Sequence, residues 1–137
     1  MSVPLGRVSP STAAQLAAGS VAFVEKRFGF ALPYTPESLL VVDALIDKIK
    51  ATGATQRQAS GLLSGLGCYA GEVFVRHARA TWRSSVEMGM APGGSAAVVV
   101  LPGMTPCDAI ASVFQRFTAG GTESVAALYE RIADRTS

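Results

Sequence analysis

The chain has 137 residues, of which 49% are apolar and 16% charged, and its formal net charge is +2. That length suits one domain spanning residues 1–137, large enough to bury a core without metal or disulfide staples, and the composition excludes a disordered chain. The small, scattered positive charge, with Arg76, Arg79 and Arg83 the nearest approach to a cluster, argues against nucleic acid and against an anionic membrane as partners.

In chain order, helix starts recur in the same chemistry. Ser9-Pro10, Thr35-Pro36 and Thr105-Pro106 each place a hydroxyl before a proline, whose missing N–H costs nothing in a first helical turn. Thr55-Gln56-Arg57-Gln58 reads as a capping box, and Thr122 follows Gly120-Gly121 as a further cap. The first helix is predicted over Pro10 to Phe28, with Ala17, Val21, Val24 and Phe28 on one face and Gly29 at its end. The second runs from Pro36 to Thr52, turns Leu39, Val42, Ile46 and Ile49 inward, and stops at Gly53. The third extends from Gln56 to about Arg79, with Leu62, Leu66, Tyr69 and Val73 toward the core.

The pattern then changes. Thr81 to Met88 and the β-branched run Ala96 to Leu101 flank the turn Pro92-Gly93-Gly94 and read as a β-hairpin. Its second strand is apolar on both faces, so the hairpin must be covered by helices, joined by another short strand or paired across a dimer axis. Pro106 to Thr118 presents Ile110, Val113, Phe114 and Phe117, and Glu123 to Asp134 presents Val125, Leu128, Tyr129 and Ile132, both at helical spacing. The fold expected is α+β: three N-terminal helices, a β-hairpin and two C-terminal helices. The longest purely apolar run is strand-sized, so no transmembrane span is expected, and Gln15, Gly19 and Ser20 interrupt any secretory core. Cys68 and Cys107 form no CxxC pair, so both are expected reduced and packed, as in a cytoplasmic protein.

Rare residue types crowd into Gly65 to Trp82. Helix three carries Ser60, Ser64, Gly67 and Gly71 on one stripe, and Gly61, Gly65, Cys68 and Glu72 on the next. Glycine costs about 1 kcal/mol relative to alanine inside a helix. Close approach of another element explains that cost better than ligand access does. Glu72 borders the stripe with Arg76 one turn on, and reads as a buried structural anchor or as a ligand-binding carboxylate. His77 lies too far along the helix from Cys68 for a dyad, and the spacing of His and Cys suits no metal site. Trp82 reads as a plug at the core edge or as a pocket wall, and Tyr34 shares that ambiguity.

Together, Tyr34-Thr35-Pro36-Glu37-Ser38-Leu39 opening one helix, Gly67-Cys68-Tyr69-Ala70-Gly71-Glu72 within the next, and then Trp82 with a hairpin resemble a recurrent group of small bacterial proteins sharing a G-x-Y-x-G-E segment followed by a tryptophan. The resemblance covers roughly Tyr34 to Leu101. It implies a bacterial α+β domain and no particular reaction.

Two functions follow as expectations. One is a non-enzymatic module binding a protein partner or a second copy of itself as a homodimer, without cofactor or metal. The other is a small-molecule-binding domain or enzyme whose pocket is lined by Tyr69, Glu72, Arg76 and Trp82. The first expects the glycine stripe filled by protein and Glu72 held by internal partners; the second expects a ligand-sized cavity beside Glu72.

Overall fold

A computed structural model describes residues 8–136, with the side chains of 134–136 excepted. Among the described residues the order is α1 (Ala13–Phe28), α2 (Ser38–Ala51), α3 (Gln56–His77), β1 (Thr81–Ser84), β2 (Ala97–Leu101), β3 (Thr105–Cys107), α4 (Ala109–Ala119), a 3-10 turn (Gly120–Thr122) and α5 (Val125–Thr136). The α+β class holds, with three helices, a strand region and two helices in that order.

The cap chemistry is realised unevenly. Thr55 and Gln58 form the expected reciprocal box, Gln58 N–H donating to Thr55 Oγ1 at 3.1 Å and Thr55 N–H to Gln58 Oε1 at 2.9 Å. Thr35 Oγ1 accepts from Ser38 N–H at 3.2 Å, although regular helix begins only at Ser38. Ser9-Pro10 makes a lead-in turn, with the Ser9 carbonyl accepting from Thr12 and Ala13 N–H, and α1 starts at Ala13. Helix α3 ends at His77, short of Arg79. There Ala78 and Ala80 N–H both return to the Phe74 carbonyl, and Arg79 takes the left-handed position at φ 60°.

Two expected helix starts are corrected. Thr105-Pro106 opens no helix: Thr105–Cys107 is β3, pairing antiparallel with β2 in the register Val99↔Cys107, Val100↔Pro106 and Leu101↔Thr105. Proline is tolerated there because β3 is an edge strand and needs no outward N–H. Asp108 caps α4 instead, its Oδ1 accepting from Ala111 N–H at 2.9 Å. Thr122 belongs to the 3-10 turn, and Ser124 takes its place before α5, with Oγ accepting from Ala127 N–H at 3.1 Å.

The hairpin is shorter than expected and gains the third strand. β1 ends at Ser84, and residues 85–96 turn back through Ser85 N–H to Ala96 O (2.8 Å) and Met90 N–H to Ser85 O (3.0 Å). β2 is central in the order β1-β2-β3, so both of its edges are paired, and its apolar side chains are buried on both faces. Trp82, Val99 and Cys107 align on the face toward the helices. Val98 and Val100 lie on the other, beside Arg83, Thr81 and Pro106, and are buried as well.

Helix α3 is the axis of the fold. Every residue from Leu63 to Phe74 is buried, as befits a helix covered on all sides. Its glycines are the reason three neighbours can approach. A Cβ on Gly65 would strike the Ser20 hydroxyl of α1, one on Gly67 would lie 2.6 Å from Ile110 Cα of α4, and one on Gly71 would meet the Trp82 ring of β1. The close-approach explanation holds for each of these.

Candidate functional site

The chemistry-bearing residues of α3 do gather, around its C-terminal half. Glu72 is 7% exposed, and its Oε2 accepts the Trp82 indole N–H at 2.8 Å. Its Oε1 stands 3.7 Å from Arg76, whose side chain is half exposed, so that ion pair contributes only a few tenths of a kcal/mol, at about the level of an exposed helix pair. Trp82 lies against Gly71, which lets the large ring sit flush on the helix while its polar edge reaches the carboxylate. The glycine and the glutamate thus form one seat for one side chain.

Tyr69 is fully buried and organises a chain of hydrogen bonds. Ser38 Oγ–H donates to the Thr35 carbonyl (2.6 Å), which leaves the Tyr69 hydroxyl to donate to Ser38 Oγ (2.6 Å). The Tyr69 oxygen in turn accepts Tyr34 N–H at 2.8 Å. Burial is the main cause pushing the Tyr69 phenol above its ordinary pKa.

Tyr34 is the strained residue of the group, with φ at 61°. For a non-glycine residue that conformation costs on the order of 1 kcal/mol and persists only when its surroundings hold it. They do so from three directions. The Arg76 guanidinium lies 3.6 Å from the Tyr34 ring centroid, the Tyr69 ring lies 4.8 Å away, and the Tyr34 carbonyl accepts from His77 Nε2 at 2.8 Å. A carbonyl can only accept, so Nε2 carries a proton in this arrangement. His77 therefore latches the α1–α2 connection to α3.

The thiols are equally committed. Cys68 and Cys107 are unpaired and buried, and burial pushes each up to about 12, with Glu72 adding to the shift at Cys68 and Asp108 at Cys107. At neutral pH both are protonated, and a protonated thiol is a poor nucleophile. Among the described residues no group of three His, Cys, Asp or Glu side chains is placed to hold a metal ion. No described helix is long and apolar enough to cross a membrane.

The carboxylate's role can be separated from its charge. Glu72→Gln is expected to cost less than about 1 kcal/mol, because an amide oxygen still accepts the indole N–H, whereas Glu72→Leu strands that donor and costs about 1–3 kcal/mol. Urea melts of the two variants check this. Equal damage in both would make the negative charge, rather than the acceptor, the important feature.

A second polar cluster escaped the sequence reading. Asp43 of α2, 5% exposed, accepts from Val125 N–H (2.8 Å), Ala126 N–H (3.3 Å) and Ser124 Oγ–H (2.7 Å), so it caps α5 from another helix. Arg116 of α4 closes the arrangement, with Nε and Nη2 on Asp47 at 2.9 and 2.6 Å and Nη1 on the Glu123 carbonyl at 2.9 Å. The signal available was an acidic residue set within the apolar stripe of Leu39, Val42 and Ile46. Lys50 does the complementary service at the end of α4, donating to the Phe117 carbonyl at 2.7 Å.

Among the described residues, another part of the surface is concave. A groove with a cavity volume of ≈ 340 Å³ runs between α1 and α3, lined by Gln15, Leu16, Gly19, Ser20, Phe23, Gly61, Leu62 and Gly65. None of these side chains is charged. Phe23 stands 49% exposed at its edge, and a Cβ on Gly19 would meet nothing within 4 Å. No protein-family model matches the chain, and no curated protein and no solved structure is significantly similar to it.

Proposed function

We propose that the protein is a non-enzymatic interaction module, that it acts through the α1–α3 groove, and that a second copy of the chain is the occupant. The observation carrying the reading is where the reactive side chains go: Glu72 holds Trp82, His77 holds Tyr34, Tyr69 holds Ser38, and both thiols are buried and protonated. These groups maintain the fold, while the α1–α3 groove, apolar and uncharged, faces outward. The reading includes a reducing compartment, the cytoplasm of a bacterium, in keeping with the two unpaired thiols.

A second copy suits the groove because knob and hole lie on one face. Phe23 projects beside the bare backbone at Gly19, so a two-fold axis there seats each Phe23 over the partner's Gly19. Such an isologous contact uses the same patch twice. With no charged side chain in the lining, it buries no unpaired ion.

Sedimentation over a wide concentration range tests this. The wild type is expected to dimerise, and Phe23→Glu to remain monomeric with its melting temperature nearly unchanged, since the side chain is half exposed. A wild type that stays monomeric throughout overturns the self-association reading. A Phe23→Glu protein that still dimerises moves the interface away from this groove.

A further inference from the structure

The α1–α3 groove holds a polar atom that the fold does not use. Gly19, Gly61 and Gly65 are part of its lining, so much of the wall beside Leu16, Phe23 and Leu62 is bare backbone. Gln15 is its exposed polar member, and Ser20 its buried one, only 6% exposed. The Ser20 hydroxyl stands against Gly65, at the spot that a Cβ on that glycine would strike. Other helical serines spend their hydroxyls on a carbonyl three residues back: Ser38 on Thr35 at 2.6 Å, Ser60 on Arg57 at 3.0 Å and Ser112 on Ala109 at 2.6 Å. Among the described residues Ser20 Oγ has no hydrogen-bond partner. A buried hydroxyl is ordinarily paired, because leaving it unpaired costs free energy.

A lone hydroxyl in an apolar, uncharged hollow is selective in two ways. A ligand with a net charge would leave water and meet nothing to pair with it. A purely apolar ligand fits the wall but leaves the hydroxyl unsatisfied. A compact apolar body carrying one hydroxyl meets both demands. The cavity volume of ≈ 340 Å³ lies at the low end of ligand pockets, roughly 300–1,000 Å³. We infer that the groove binds a small uncharged molecule of phenol size, its ring against Leu16, Phe23 and Leu62 and its hydroxyl paired with Ser20 Oγ. The inference rests on the reading of this groove as the protein's binding surface, and gives that surface a ligand as well as a partner.

The test is an amide NMR titration of the full chain with phenol, with its isostere toluene, and with benzoate. Phenol is expected to shift the Gly19, Ser20 and Gly65 resonances in a saturable manner and to bind about tenfold more tightly than toluene, the scale of one neutral hydrogen bond. Benzoate is expected not to bind. Ser20→Ala removes an unpaired hydroxyl, so it is expected to keep the fold and to bind phenol and toluene equally. Gly19→Leu, at a position where a Cβ meets nothing within 4 Å, is expected to fill the groove and lose both ligands. Absence of saturable shifts with phenol overturns the assignment. So does a phenol preference that survives Ser20→Ala, phenol binding that survives Gly19→Leu, or benzoate binding as tightly as phenol. Sedimentation keeps the two readings apart: a wild type that stays monomeric removes the second copy, while the ligand stands or falls on the titration.

Discussion

Asp43→Ala is expected to destabilise the protein by about 3 kcal/mol, because each buried donor left unsatisfied costs about 1–3 kcal/mol. Val125 and Ala126, whose N–H groups Asp43 accepts, are 1% and 6% exposed, so water cannot replace the carboxylate readily. The loss also removes a negative charge from a helix N-terminus, where it is favourable by about 0.3–1 kcal/mol or more. In a domain of this size that amounts to a fall in melting temperature of about 10 °C. Asp43→Asn keeps one acceptor oxygen and is expected to retain part of the stability. Hydrogen exchange localises the effect: the α5 amides should lose protection before those of α3. A loss under about 1 kcal/mol would assign the docking of α5 to packing, chiefly the Phe74–Tyr129 ring contact at 4.8 Å, rather than to the cap.

Gly67→Ala is the second large effect, and its direction is opposite to that of Gly19→Ala. At Gly67 the added methyl would stand 2.6 Å from Ile110 Cα and 3.0 Å from Ile110 Cβ. The obstacle includes backbone and cannot rotate aside, so α3 and α4 must separate, and overpacking of this kind costs typically about 1–3 kcal/mol. At Gly19 nothing lies within 4 Å, and alanine there should stabilise the monomer by up to about 1 kcal/mol through helix propensity. The same methyl narrows the gap proposed to receive Phe23 from a second copy. Gly19→Ala is therefore expected to raise stability in dilute denaturant melts while weakening self-association in sedimentation. If it stabilises the fold and leaves association unchanged, the contact does not close on Gly19.

Some of the candidate site was legible before the fold was known. Glu72 could be recognised as a carboxylate at the edge of a glycine-lined stripe, and Trp82 as the residue that exits α3 toward the sheet. Helical spacing could also separate His77 from Cys68. It could not show that Trp82 returns to seat on Gly71 and donate to Glu72, since that contact depends on how β1 leaves the helix. Nor could it show that Tyr34 adopts a left-handed φ, because the groups enforcing it, Tyr69, Arg76 and His77, are at least 35 residues further on.

The caps divide along the same line. Thr55 with Gln58, and Thr35 with Ser38, are local hydrogen bonds between residues three apart, so the order of residues alone specifies them. Thr105-Pro106 carries the same local signature yet becomes an edge strand, because the edge of β2 that β1 leaves unpaired offers a second ladder. Asp43 caps a helix more than 80 residues away, which no short-range rule anticipates.

By itself, then, the sequence determined the helices with local caps, the α+β order, and the need for bare surface on α3, since propensity, capping and glycine cost act over a few residues. Tertiary structure alone decided which neighbour fills each bare position, where β3 forms and how Asp43 closes α5. Those outcomes rest on contacts between segments distant in the chain, whose energies depend on the final packing of all the elements together.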